Sequence, residues 1–220
     1  MSVADLRVAV LASGDGSNLQ ALLDAARDPE SGFTIVLVIS NRPDAGALAR
    51  ARRAGVPAAT IDVEGRDAAG LAALLREARA GLVVLAGYLK LVPPGVVAAF
   101  ADRMLNIHPA LLPAFGGPGM YGRRVHEAVL ASGARLSGPT VHLVDARYDQ
   151  GRIVAQWPVP VAPGDDAQTL AGRVLEAEHR LLPAVVRAWA RAGRAPRLTF
   201  QAPALGPCAA LPPTFDEAFA

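Results

Sequence analysis

The sequence predicts an α/β fold in which helices cover both faces of a mostly parallel sheet that has an antiparallel edge. The first observation behind this prediction is that uninterrupted apolar runs alternate with segments of helical periodicity over the first 110 residues. Strands that are buried on both faces have this pattern in parallel sheets. The second is that two strand-like segments, 140–144 and 152–161, follow each other with no helix between them. This succession favours an antiparallel edge or a hairpin.

The first half of the chain predicts five strands and three helices. The apolar runs that predict strands are residues 7–13, 34–40, 58–61, 82–86 and 104–107. The segments with apolar residues three and four positions apart predict helices over 19–28, 45–54 and 66–80.

The second half contains a long loop and a long helix. Residues 109–121 are rich in proline and glycine and predict a loop of a length that is usually functional. Residues 165–191 predict a helix with Asp165 or Asp166 as N-cap and Gly193 after its end, and Pro183 should kink it. We expect one domain over residues 1–193 and an irregular tail over 194–220.

Composition excludes several classes of protein. Apolar residues make up 52% of the 220 residues and charged residues 19%, which indicates a globular chain with a sizeable core. No apolar run approaches the roughly 18 residues of a membrane span, and no secretory signal is recognisable, so we expect a cytoplasmic protein. The single cysteine, Cys208, excludes a disulfide framework and a cysteine-based zinc site. The 22 basic and 20 acidic residues are scattered, so no nucleic-acid partner is expected.

A glycine-containing loop joins the first strand to the first helix. Gly14 and Gly16 let successive backbone N–H groups face outward at a helix N-terminus, an arrangement that suits an anion such as phosphate. The alternative is a tight turn in which Ser17 or Asn18 caps the helix. A dinucleotide fingerprint is not predicted, because Leu19 occupies the third glycine position.

An amide and an imidazole come at the end of the strand before the long loop. Asn106 and His108 alternate with Ile107, so both side chains lie on the same face of that strand. Ligands bind at the carboxyl ends of parallel strands, where these two groups could donate hydrogen bonds to a developing oxyanion. The alternative is a histidine that caps a loop.

Two further residues gain importance only through contacts that the sequence does not reveal. Asp149 is an ordinary turn former unless it meets His108, in which case its carboxylate would raise the pKa of the imidazole. His142 lies on a predicted strand and is predicted to be a hydrogen-bonded core histidine rather than a catalyst. The four histidines have no metal-ligand spacing, and no Gly-x-Ser-x-Gly nucleophile motif is present.

Two other segments have open interpretations. Residues 86–94, which end at Pro93 and Pro94, either wall a flat apolar ligand or form a buried loop. Glu178 lies on the long predicted helix, where most charges are solvated and only some contact a ligand.

Taken together, these segments resemble the folate-dependent formyltransferases, and in particular the glycinamide ribonucleotide transformylases. The resemblance runs from residue 8 to about 190 and rests on ASGDGSNLQ at 12–20, VVLAGY at 83–88, NIHPALLP at 106–113, and TVH at 140–142 followed by Asp149 and Gly151. It implies a Rossmann-like formyltransferase fold. It also implies transfer of a formyl group from 10-formyltetrahydrofolate to the amine of 5-phosphoribosylglycinamide in purine biosynthesis, without a metal, by a monomer or a homodimer.

The resemblance also implies roles for individual residues. The implied catalytic residues are Asn106, His108 and Asp149. The residues implied to contact the phosphate and the glycinamide are Gly16, Ser17, Asn18 and Glu178. The residues implied to contact the folate are Arg66, Leu89, Lys90, Leu91, Val92, Asn106, Asp145 and Asp149. In the implied mechanism the substrate amine attacks the formyl carbon directly. His108, made more basic by Asp149, then donates to the oxyanion together with Asn106.

The sequence departs from the family pattern at a few positions, which are Arg124, Gln150, Arg152, Leu175 and Ala177. These departures affect details of substrate contact. The alternatives are a formyltetrahydrofolate hydrolase, a methionyl-tRNA formyltransferase and a non-catalytic nucleotide-binding module. We expect the first two to carry an additional domain, and the third has no need of the Asn106, His108 and Asp149 set.

Overall fold

The computed structural model describes residues 5–61 and 68–196. Its strands are β1 (Leu6–Leu11), β2 (Phe33–Ser40), β3 (Ala58–Thr60), β4 (Leu82–Leu85), β5 (Met104–His108), β6 (Leu136–Ser137), β7 (Thr140–Leu143), β8 (Ile153–Gln156) and β9 (Val159–Pro160). Its helices are α1 (Ser17–Ala25), α2 (Gly46–Arg53), α3 (Ala68–Glu77), α4 (Pro94–Ala99), α5 (Arg123–Ala131) and α6 (Ala167–Ala192), with a short 3-10 helix at Pro29–Ser31. Arg66, Cys208 and most of the predicted tail lie outside the described residues.

A seven-stranded sheet in the order β3-β2-β1-β4-β5-β7-β8 forms the centre of the fold. The first five of these strands are parallel, and β7 and β8 continue the sheet as an antiparallel edge. This confirms the predicted fold class. The strand order reverses between β1 and β4, and the crevice beyond the carboxyl ends of strands at such a point is where ligands bind in open α/β sheets.

Helices cover both faces of the sheet. On β1, Val8 and Val10 belong to one apolar cluster, whereas Ala9 and Leu11 belong to a second one. Because successive strand residues point to opposite faces, β1 is buried on both sides. The first cluster is completed by residues of α1, α2 and α6, and the second by residues of α3 and α4.

Four features differ from the prediction. Helices α4 and α5 and strand β6 were not predicted, and the segment 152–161 forms two strands rather than one. The break comes after Trp157, since Pro158 has no N–H to continue the ladder with β7. β9 then pairs with β6 in a separate two-stranded sheet.

The long helix α6 has the predicted ends. The side chain of Asp166 accepts hydrogen bonds from the N–H groups of Gln168 and Thr169, and Gly193 ends the helix in the left-handed conformation at φ 65°. Pro183 lies inside the helix without ending it. No helix in residues 5–61 and 68–196 combines the length and apolar character that crossing a membrane requires.

Candidate active site

A cavity of about 750 Å³ opens at the carboxyl edge of the sheet, beside the ends of β4 and β5. Its lining includes Asn106 and His108 from β5, the segment 87–92 that follows β4, the loop around Asp149, and Glu178 from α6. The sheet therefore brings most of the predicted site residues to one cavity.

Asp149 lies against both polar side chains of β5. Its Oδ2 accepts the N–H of Gly117 at 2.9 Å and is 3.5 Å from Nδ1 of His108. Its Oδ1 lies 3.4 Å from the amide nitrogen of Asn106. Asp149 has φ 56°, so a left-handed residue in the loop after β7 turns its carboxylate toward the end of β5. Asp149 therefore meets His108, and this is the contact on which a role beyond turn formation depends.

Asp149 raises the pKa of His108, as expected from the sequence, but the net pKa of the ring lies below its ordinary value. Burial lowers the pKa of His108, and the carboxylate of Asp149 together with the carbonyl of Phe115 offsets only part of that effect. The Nε2 of His108 is 2.8 Å from the carbonyl oxygen of Phe115, which can only accept, so Nε2 carries a hydrogen. The nitrogen that faces Asp149 is therefore the unprotonated Nδ1 in the neutral ring.

Asp149 itself is favoured in its ionised form. Burial pushes the pKa of Asp149 upward, but the contact with His142, the charge of His108 and the N–H of Gly117 outweigh burial, and the pKa lies below its ordinary value. A neutral imidazole therefore faces a carboxylate, and a proton that arrives on Nδ1 would be stabilised by Asp149.

His142 is a buried, hydrogen-bonded histidine, as predicted, and it also belongs to this cluster. Its Nδ1 is 2.8 Å from the carbonyl oxygen of Leu143, so Nδ1 carries the hydrogen and Nε2 carries the lone pair. The amide nitrogen of Asn106 donates to that Nε2 at 3.0 Å, whereas the 3.6 Å from Nε2 to Oδ1 of Asp149 is too long for a hydrogen bond. His142 thus orients the amide of Asn106. The antiparallel register, in which position 142 faces 106, is the signal that could have found this contact.

The glycine loop leaves the N-terminus of α1 without a side-chain cap. Gly16 is the N-cap residue at φ 82°, and neither Ser17 nor Asn18 caps the helix as the alternative interpretation required. A Cβ on Gly16 would lie 2.7 Å from Cα of Ala47, so α2 packs too closely to admit any other residue here. The N–H groups of the first helical turn therefore remain available to an anion.

Asn18 uses its side chain to reach α6 instead. Its amide nitrogen donates to Oε2 of Glu178 at 2.5 Å, and Oδ1 of Asn18 is buried without a partner. Burial raises the pKa of Glu178 to about 7, although the hydrogen bond from Asn18 lowers it in part. Glu178 is 7% exposed, so it is not one of the solvated charges of α6.

The segment after β4 forms an apolar wall of the cavity. Tyr88 and Val92 are buried, whereas Leu89 and Leu91 are exposed by 46% and 41% and line the cavity. The N–H of Leu89 donates to Oγ of Ser13 at 3.0 Å, which ties the segment to the loop after β1. The remaining described residues that the resemblance assigns to folate, Lys90 and Asp145, line the same cavity.

One of the positions that depart from the family pattern, Leu175, lines this cavity. Arg124 packs over the ring of Tyr121 at 5.4 Å. Gln150 and Arg152 are exposed on either side of Gly151, and Ala177 is buried. Within the described part of the chain, no group of three or more His, Cys, Asp or Glu side chains is arranged to hold a metal ion.

Comparison with known proteins finds the relatives of this chain among the formyltransferases. Residues 6–186 match the formyl transferase family. Phosphoribosylglycinamide formyltransferase of Haemophilus influenzae is 37% identical over 195 residues, which cover 86% of this chain and 88% of that protein. The chloroplastic phosphoribosylglycinamide formyltransferase of Vigna unguiculata is 44% identical over 193 residues, and the chain spans 62% of its length.

The solved structures agree with the relatives found by sequence. The crystal structure of glycinamide ribonucleotide transformylase 1 from Symbiobacterium toebii superposes with a TM-score of 0.80 at 42% identity. The superposition covers 86% of this chain and 89% of that one.

Proposed function

The chain belongs to the formyl transferase family, and from this premise we propose that it transfers the formyl group of 10-formyltetrahydrofolate to the amine of 5-phosphoribosylglycinamide. The observation that carries the proposal is the cluster of Asn106, His108 and Asp149 in a cavity beside the uncapped N-terminus of α1. The cluster suits the chemistry of acyl transfer, and the helix N-terminus suits a phosphate. The proposed setting is purine biosynthesis in the cytoplasm.

The two substrates would occupy different ends of the cavity. The phosphate of the ribonucleotide would bind the backbone N–H groups of Gly16, Ser17 and Asn18, and the buried carboxyl of Glu178 would contact the glycinamide. The folate ring would lie along the apolar wall, and the assigned residues there are Leu89, Lys90, Leu91, Val92 and Asp145. This division is supported by the short distance between Asn18 and Glu178, which joins the phosphate loop to the cavity.

In the proposed mechanism, the amine nitrogen attacks the formyl carbon and forms a C–N bond, and negative charge develops on the formyl oxygen. One N–H of Asn106 stays on His142, and the second, which faces Oδ1 of Asp149 at the long distance of 3.4 Å, turns to donate to that oxygen. Nδ1 of His108, unprotonated in the neutral ring and facing Asp149, accepts the proton of the attacking amine through a water molecule. The carboxylate of Asp149 and the carbonyl of Phe115 then stabilise the imidazolium.

Collapse of the tetrahedral intermediate completes the reaction. The bond between the formyl carbon and N10 of the folate breaks, and the imidazolium of His108 returns the proton to N10, directly or through water. The products are formylglycinamide ribonucleotide and tetrahydrofolate, so atoms and charges balance. The chain would need to supply neither a covalent intermediate nor a redox group.

The test is a steady-state assay that follows both products, with each substrate omitted in turn. Turnover that requires both substrates is the result we expect. Consumption of the folate without the ribonucleotide would identify a hydrolase instead. Binding of the ribonucleotide without any turnover would identify the non-catalytic module.

A further inference from the structure

The phosphate loop contains a carboxylate that is held by an arginine of the neighbouring helix. Asp15 lies between Gly14 and Gly16 and is exposed, and its Oδ2 is 2.6 Å from Nη2 of Arg50 on α2. The Nε of Arg50 also donates to the backbone carbonyl of Asp15 at 2.8 Å. The guanidinium is therefore bound at two points to the residue that precedes the N-cap of α1.

The packing of α2 fixes this arrangement. The N–H of Ala47 donates to the carbonyl oxygen of Gly14 at 3.1 Å, and a Cβ on Gly46 would lie 2.9 Å from the carbonyl oxygen of Asp15. α2 thus lies directly against the loop, and Arg50 reaches it from the middle of that helix. The side chain of Arg50 is only 24% exposed, so its charge is less screened than that of an ordinary surface arginine.

The charges of Asp15, Arg50 and a bound phosphate at this loop indicate a function for Arg50. A phosphate at the N-terminus of α1 would lie close to the carboxylate of Asp15, and two like charges at short range repel. The guanidinium offsets that repulsion and adds positive charge on the same side. The charge of Arg50 also acts on α6. The pKa of His179 on that helix is lowered first by burial and second by the positive charge of Arg50.

We infer that Arg50 is a substrate-binding residue whose guanidinium supplies side-chain positive charge for the phosphate of the ribonucleotide, while Asp15 holds it beside the loop. The inference rests on the proposed function, because it specifies how the phosphate end of that site discriminates in favour of a phosphorylated substrate. Backbone N–H groups alone contribute only the partial charge of a helix terminus, whereas a guanidinium contributes a full charge.

The test compares Arg50→Gln with Arg52→Gln, which removes an exposed arginine from the same helix. For Arg50→Gln we expect the KM of the ribonucleotide to rise about tenfold at low salt, with kcat within about twofold and the KM of the formyl donor unchanged. The difference from the native protein should shrink as salt is added. Arg52→Gln should leave all three constants unchanged. An unchanged KM of the ribonucleotide in a folded Arg50→Gln protein would overturn the inference.

A second pair of variants separates direct action on the phosphate from mere neutralisation of Asp15. Asp15→Asn should lower the KM of the ribonucleotide. The double variant that combines Asp15→Asn with Arg50→Gln should have a higher KM of the ribonucleotide than Asp15→Asn alone. If the double variant binds as tightly as Asp15→Asn, Arg50 only neutralises Asp15 and the inference is wrong. Absence of turnover in the native protein would instead contradict the proposed function.

Discussion

The Nε2 of His142 lies 3.0 Å from the amide nitrogen of Asn106, across the antiparallel pair formed by β5 and β7. The other ring nitrogen donates to the carbonyl of Leu143, so the tautomer of His142 is set by the strand on which it lies. An amide that donates to this lone pair is held in one orientation. The position of Asn106 in the site therefore depends on a residue of the neighbouring strand.

His142→Phe keeps most of the ring volume and removes the acceptor for Asn106. We expect kcat to fall about fivefold, because one orienting hydrogen bond is worth about 1 kcal/mol, while both KM values change little. Steady-state kinetics with each substrate varied, together with a thermal melt, measure this. A folded variant with native kcat would show that Asn106 needs no support from His142.

Glu178 should make stability depend on pH. Its pKa is raised from 4.5 to about 7 in the folded protein, so the unfolded chain loses the proton first as pH rises. The contribution of Glu178 to the free energy of unfolding should be largest below pH 4.5 and should fall by about 3 kcal/mol as pH rises through 7.

Urea unfolding of native protein, Glu178→Gln and Glu176→Gln at several pH values measures this contribution. Glu178→Gln should remove most of the fall, whereas Glu176→Gln, which changes an exposed residue two positions away, should retain it. Parallel pH profiles for the native protein and Glu178→Gln would contradict the raised pKa.

Gly16 should tolerate no side chain. Gly16→Ala forces a Cβ to within 2.7 Å of Cα of Ala47 at a positive φ, which should cost about 1–3 kcal/mol of stability and raise the KM of the ribonucleotide. Gly14→Ala is the matched control, because a Cβ there meets nothing within 4 Å. Equal thermal shifts in the two variants would show that close packing of α2 is not the constraint at this loop.

The five parallel strands could be predicted from the sequence because each is a continuous apolar run, and burial on both faces requires that pattern. The helices α4 and α5 could not be predicted in the same way. α4 begins with Pro94 and Gly95, which disfavour a helix interior, although proline is well suited to the first helical position. α5 follows the glycine-rich loop and begins with two arginines.

The placement of Asn106 and His108 on one strand face could be predicted from the sequence, whereas the electrostatics of the cavity could not. Asn106 and His108 share a face because alternation along a strand is a local property. Burial is not local, and although Asp149 raises the pKa of His108 as expected, burial lowers that pKa by more. Glu178 is buried by a contact with Asn18, which lies 160 positions earlier in the chain. No pattern within α6 could reveal that contact.

The pH dependence of the reaction should reflect the lowered pKa of His108. If neutral His108 accepts the proton, kcat/KM falls as pH falls, with a midpoint below the ordinary value of 6.5. In Asp149→Asn the midpoint of the residual activity should move to still lower pH, since the carboxylate raises this pKa. Profiles between about pH 5 and 8 test both expectations, and a midpoint above 6.5 would contradict the burial effect.

The most direct test of the account is the kcat of Asp149→Asn beside that of Asp102→Asn, with both proposed substrates present. Both residues are aspartates in the left-handed conformation, at φ 56° and 57°, so the pair separates backbone effects from charge. We predict that Asp149→Asn lowers kcat at least about a hundredfold, because His108 loses the carboxylate that stabilises its protonated form, while Asp102→Asn stays near native. Near-native turnover in a folded Asp149→Asn protein would contradict the proposed catalytic cluster.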